Sequence, residues 1–110
     1  MEVNIRKEEK ALVVSVTGRM DAVSAPDFDT QVEEQVDKGE TSLVLDLSGL
    51  DYISSAGLRS MLTLAKKLKT KEGDLVLCGL QDVVNEVFEV SGFSTIFEIF
   101  GSVEEAMEGR

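Results

Sequence analysis

Apolar residues recur along this chain with two periods, and the switches between them divide it into alternating strands and helices. Near the start the period is two: Val3 and Ile5, then Val14 and Val16, punctuate the extended runs Val3 to Lys7 and Ala11 to Thr17. The charged Glu8-Glu9-Lys10 between them predicts an antiparallel hairpin with those four residues inward and a second strand ending at Gly18. From Ser24 the period lengthens. Ser24 is placed to cap, Pro26 suits a first turn and Asp27 favours the positive end of a helix dipole. A helix is predicted there, with Ala25, Phe28, Val32 and Val36 as its apolar stripe, acidic residues outward, and Gly39 as its stop.

The run Leu43-Val44-Leu45-Asp46-Leu47 has the continuous aliphatic character of a buried parallel strand, and the turn signal Ser48-Gly49 ends it near Ser48. Beyond a loop, Leu58, Met61, Leu62, Ala65 and Leu68 fall at helical spacing, with Arg59, Ser60, Thr63, Lys66 and Lys67 on the other face. Lys66, Lys67, Lys69 and Lys71 gather where cations complement a helix C-terminus. Leu75 to Cys78 reads as another parallel strand, and Gln81 to Val90 as a short helix with Val83, Val84, Val87 and Phe88 inward, closed by Gly92. A final short strand is expected near Ile96 to Ile99. Ser102-Val103-Glu104-Glu105 has the form of a capping box opening a last helix.

Strands alternating with helices after an opening hairpin imply an α/β fold: a mixed sheet of four to five strands with parallel crossovers and about four helices. Periodicity does not decide whether the helices cover one face or both. At 110 residues the chain is expected to form a single domain over residues 1–110, long enough for one unstapled core.

Composition narrows the chemistry. The chain holds 43% hydrophobic and 29% charged residues, with no apolar run near the ~20 residues a membrane span requires. Its polar, acidic first residues lack a signal-peptide core, so a cytoplasmic, non-membrane protein is expected. The single cysteine, Cys78, lies in a strand pattern and reads as a small buried residue. The chain has no histidine, which removes Ser-His and Cys-His catalysis and the commonest transition-metal ligand. A formal charge of −10 disfavours nucleic acid as a partner. No catalytic residues, metal or cofactor are expected, and the reading is of a non-enzyme.

The linking segment Ile53-Ser54-Ser55-Ala56-Gly57 carries the remaining signal. One serine is placed to cap the helix that follows, and the small residues fit a tight strand-to-helix turn. Doubled hydroxyls beside Ala56 and Gly57 also leave a helix N-terminus open to an approaching molecule. Together with Asp46-Leu47-Ser48-Gly49-Leu50 before it and Leu58 after it, this segment resembles the signature of STAS domains, above all the stand-alone bacterial anti-sigma factor antagonists. Gly18-Arg19-Met20-Asp21, the length and the order of elements fit the same family.

That resemblance implies a STAS-like fold with most helices on one face. It also implies a partner-switching role: the unphosphorylated protein binds an anti-sigma factor that is also a serine kinase, and phosphorylation reverses this until a serine phosphatase resets it. Counting back from Gly57 and Leu58 places the phosphoacceptor at Ser55, with Ser54 as second choice because it stands where the family usually has Asp. Asp21, Ser54, Ser55, Ala56, Gly57, Leu58 and Met61 are the implied partner-binding residues. Asp21 has an alternative role as a turn residue ahead of the first helix, and Asp46 reads as the residue holding the turn after its strand. The rival functions are a nucleotide-binding STAS module and a STAS subunit of a larger signalling or transport assembly. The first is weakened because the loop has neither Gly-x-x-x-x-Gly-Lys-[Ser/Thr] nor Gly-x-Gly-x-x-Gly.

Overall fold

Leu43, Val44 and Leu45 are all fully buried, which requires helices or chain on both sides of the strand that carries them. In the computed structural model, which describes residues 1–108, that strand is β3 (Ser42–Asp46), at the centre of a six-stranded mixed sheet. β1 (Glu2–Lys7) runs antiparallel to β2 (Leu12–Met20). β2 pairs in parallel with β3, then comes β5 (Asp74–Cys78), and β6 (Glu98–Phe100) forms the far edge.

The sixth strand, β4 (Leu50–Ile53), lies off this path and pairs in parallel with the last residues of β2. It was hidden in the sequence because Asp51 and Tyr52 interrupt its apolar ends and it follows the Ser48-Gly49 turn without a break. Accordingly the sheet exceeds the expected four to five strands by one, and β2 does not stop at Gly18. Gly18 sits at φ +87°, where the register between β2 and β4 shifts. Such a bulge needs a residue free of a Cβ. It lets β2 leave β3, its partner over Leu12–Ser15, and take β4 as partner over Gly18–Met20.

Helices α1 (Ala25–Asp37), α2 (Ser55–Thr70) and α3 (Asp82–Val90) cover one face, where Val14, Leu43, Leu45 and Leu77 meet Phe28, Met61 and Phe88. The other face, with Val13, Val44, Val76 and Cys78, is closed by α4 (Val103–Glu108) through Ala106, Val103 and Met107. Most helices therefore lie on one side, and α1 buries the four stripe residues its spacing predicted.

Two helices and the last strand need correction. On α2 the buried face includes Ser60 and Leu64, while Leu62 and Ala65 are half-buried, because the helix packs against both β4 and α1 and its contact stripe is rotated accordingly. On α3, which begins after Gln81, Val84 and Phe88 are buried but Val83 is 59% exposed: a nine-residue helix on the flank of the sheet buries one narrow stripe. The last strand is shifted to Glu98–Phe100 because Phe93–Thr95 form a 3-10 turn that packs Phe93 and Phe97 against Phe88. The expected box before α4 is present in part. Ser102 Oγ accepts from the Glu105 N–H at 3.2 Å, while the Glu105 carboxylate reaches the Gly101 N–H at 2.9 Å.

Phe88 and Val83 offer a test of this packing. Phe88→Ala should cost about 3 to 5 kcal/mol in urea unfolding, whereas Val83→Ala should change stability by under about 0.5 kcal/mol. Cys78 offers another, since burial, reinforced by the charge of Asp46 beside it, pushes its thiol up to about 11. A folded value raised above the unfolded one stabilises the protein fully below the unfolded value of about 8.5, and this contribution is lost as pH rises toward the folded one. Cys78 should therefore resist a thiol reagent at pH 8 in the native protein and react at once in denaturant.

Candidate functional site

β2 and β4 end together, with Met20 opposite Ile53, and the chain then diverges into two loops that stay in contact. The Ser54 N–H donates to the Met20 carbonyl at 2.9 Å, extending the ladder by one bond. Ser54 itself is extended, at φ −95° and ψ 175°, and occupies the N-cap of α2. Its carbonyl accepts from the Leu58 N–H at 3.0 Å, and its Oγ accepts a long bond from the Gly57 N–H at 3.4 Å. Ser54 is thus the serine that caps.

Ser55 is the first residue of α2, and it is exposed. Its hydroxyl has no hydrogen-bond partner among the described residues. Ala56 is half-buried beside it, and Gly57 is buried. A Cβ at Gly57 would lie 2.7 Å from Ile53 Cγ1 and 3.1 Å from both Met20 Cγ and the Met20 carbonyl oxygen. Only glycine lets the helix start this close to the strand ends. Leu58 is 7% exposed and Met61 is fully enclosed, so both hold the rim from beneath and leave its outer surface to Ser54, Ser55 and Ala56.

Asp21 follows Met20 directly. Its Oδ1 accepts from the N–H groups of Val23 and Ser24, each at 3.1 Å, and lies 3.1 Å from Ser24 Oγ. The Ser24 N–H bond holds the carboxyl below the usual carboxylate range, with the Ser24 hydroxyl, the Val23 N–H and the Arg19 charge adding to the effect against some desolvation. Ser24 occupies the N-cap of α1, but its hydroxyl makes no cap bond there; it accepts from the Asp21 N–H at 2.9 Å and reaches the Arg19 carbonyl at 3.0 Å. The carboxylate of Asp21 satisfies the two amides just ahead of α1, while the Asp27 N–H of its first turn goes to the Ser24 carbonyl at 3.0 Å, and so Asp21 fixes the loop. Asp46 does the same after β3, accepting from the Ser48 N–H at 3.1 Å.

Two rim residues escaped the sequence reading. Val23, at the tip of the Asp21 loop, is 90% exposed, and Arg59 lines a cleft of about 320 Å³ between the starts of α1 and α2 together with Ala22, Pro26, Asp29 and Ala56. The spacing of four between Ser55 and Arg59 was the signal available for the second. Arg19, on the outer side of the β2–β4 pair, stacks on Tyr52 with its guanidinium 4.1 Å from the ring centre. Among the described residues, no group of three or more Cys, Asp or Glu side chains could hold a metal ion, and no helix is long and apolar enough to cross a membrane.

The sequence profile described as STAS domain matches residues 2–106. The chain belongs to the STAS domain family. Among curated relatives, this STAS domain is 45% identical over 106 residues to BtrV of Bordetella bronchiseptica, a candidate anti-sigma factor antagonist, covering 96% of this chain and 91% of that protein. It is 35% identical over 97 residues to the anti-sigma-B factor antagonist of Listeria monocytogenes, covering 88% and 84%. Among solved structures, a candidate anti-sigma factor antagonist from Thermotoga maritima superposes with a TM-score of 0.92 at 20% identity over 97% of this chain and 92% of that one. The Bacillus antagonist SpoIIAA superposes in its unphosphorylated form with a TM-score of 0.84 at 18% identity, over 97% and 94%, and in its phosphorylated form with 0.77 at 17%, over 97% of each chain. At these identities the solved structures establish the shared fold.

The division between the two serines is open to measurement. Ser54→Ala should lower stability by about 0.5 to 1 kcal/mol through the lost cap, and Ser55→Ala by less than about 0.5 kcal/mol. Gly57→Ala, which drives a methyl into Ile53 and the Met20 carbonyl, should cost about 1 to 3 kcal/mol. Denaturant melts of the three variants check all of these values.

Proposed function

We propose that this STAS domain is an anti-sigma factor antagonist, regulatory rather than catalytic, whose binding is switched off by phosphorylation of Ser55. The observation that carries this reading is the different use of two adjacent hydroxyls: Ser54 caps α2, whereas Ser55 is exposed with its hydroxyl unbonded among the described residues. The antagonist roles of BtrV, a candidate, and of the Listeria relative support the assignment. SpoIIAA, solved with and without phosphate, supports a fold that accommodates both states.

In this mechanism the unmodified rim of Ser54, Ser55 and Ala56, with the Asp21 loop beside it, docks on an anti-sigma factor and releases its sigma factor. Gly57, Leu58 and Met61 contribute from below by fixing where the rim stands. The same anti-sigma factor, acting as a serine kinase in the cytoplasm, transfers a phosphoryl group to Ser55 Oγ, and a serine phosphatase removes it. A phosphate adds about −1.5 to −2 charge and three acceptor oxygens. The N-terminus of α2 tolerates it, with roughly 0.3 to 1 kcal/mol of favourable dipole interaction, so the domain keeps its fold. A docked interface built for a hydroxyl does not. Desolvation and like-charge contact cost at least a few kcal/mol, and a penalty of roughly 3 to 4 kcal/mol weakens binding a hundred- to thousandfold.

Incubation with ATP and the host's candidate anti-sigma kinases, read by peptide mass spectrometry and pull-down, tests the switch. One phosphate on Ser55 accompanied by loss of the complex is the expected result. Ser55→Ala should bind constitutively, Ser55→Asp poorly, and Ser54→Ala should still be modified. Equal binding by wild type, Ser55→Ala and Ser55→Asp would sink the proposal.

A further inference from the structure

Arg59 carries its charge to a place where a helix offers it nothing. It lies in the second turn of α2, four residues after Ser55, and helical side chains tilt toward the N-terminus, so Arg59 leans toward the first turn along the cleft it lines with Ala56. That end of the dipole is positive and favours anions. No acidic residue stands in the first turn of α2 to offset the charge. Arg59 is exposed and has no ion pair, hydrogen bond or ring contact among the described residues. Asp29 lines the same cleft from α1 but forms no ion pair with it. By contrast, Arg19 is stacked on Tyr52, and Lys67 pairs with Asp37 at 3.0 Å.

An anion four residues before a cation is the better orientation for pairing along a helix. Ser55 holds that position relative to Arg59, and on the reading above it becomes an anion. We propose that Arg59 is the internal partner of phosphorylated Ser55, its guanidinium closing over the phosphate from one turn away. The planar fork of arginine suits phosphate oxygens as a paired hydrogen-bond donor. Phosphorylation then does two things at the rim. It adds the phosphate, and it ties down the cation of Arg59, so that the charge of the Ser55–Arg59 pair itself goes from +1 to about −1.

The proposal rests on Ser55 being the acceptor but can be tested without any kinase, by installing phosphoserine at position 55 of the full chain during translation. The second ionisation of the phosphate, near pH 6, is followed by phosphorus NMR in the wild type and in Arg59→Ala and Arg59→Gln. Asp21 and Asp29 on the neighbouring loop and α1, Arg19 on β2, and the α2 dipole are common to all three proteins. Their effects therefore cancel in the difference. The wild-type pKa should lie about 0.5 to 1 unit below both variants, and the gap should shrink at high salt. Arg59→Gln keeps the long stem, so agreement between the two variants assigns the shift to charge. Superimposed titrations would overturn the clamp and leave the switch standing. A phosphorylated protein that still held its anti-sigma factor would overturn the switch and leave the clamp standing.

Discussion

The close approach of α2 to the paired ends of β2 and β4 is the contact on which the rim depends. It exists because Gly57 has no Cβ to strike Ile53 and the Met20 carbonyl, and because that carbonyl accepts the Ser54 N–H. These two features fix the start of α2 against the sheet within a few ångströms of backbone. Leu58 and Met61 then hold it there by burial, each contributing about 1.5 to 3 kcal/mol. Ser55 is exposed as a consequence: once Gly57 must face inward, the residue two positions earlier turns toward solvent. The same junction sets the Asp21 loop beside the serines, since Met20 belongs to both.

Stability and switching are carried by different atoms. The core lies between the sheet and α1 to α3, with a smaller cluster under α4, and none of it includes Ser55. The ion pairs are at the surface, as with Arg6 and Glu8, and such pairs contribute little to stability. A charge placed on Ser55 would therefore stand at a helix N-terminus and disturb no buried contact. On the proposed switch, that separation would let a modification change the interface while the domain beneath it stays folded.

The STAS fold does not by itself assign a role. The proposed role rests on the rim, where Ser54 occupies the N-cap of α2 and Ser55 is exposed beside it. A serine caps the helix start without adding charge there. No carboxylate therefore adjoins Ser55 in the chain, and the charges around the rim are those of Arg59, Asp29 and Asp21. Asp21 is already committed to its turn, since its Oδ1 accepts from two backbone amides.

The sequence by itself determined the elements whose residues alternate or repeat strongly: the hairpin, the buried run of β3, the stripe of α1 and the cap-and-glycine segment before α2. Those signals are local, because strand and helix periods act over neighbouring residues. Only the tertiary structure decided that β2 runs on past Gly18 to find β4, because a four-residue strand with two polar members is stabilised by its partner and not by its own composition. Tertiary contact likewise chose Ser54 over Ser55 for the cap, turned Val83 outward, and buried Leu64 rather than Leu62, since each depends on which neighbour arrives. The segment Ser54-Ser55-Ala56-Gly57 pointed to a candidate site through its doubled hydroxyls together with its resemblance to the STAS signature. How its two hydroxyls divide their work was set by the strand ends that α2 packs against.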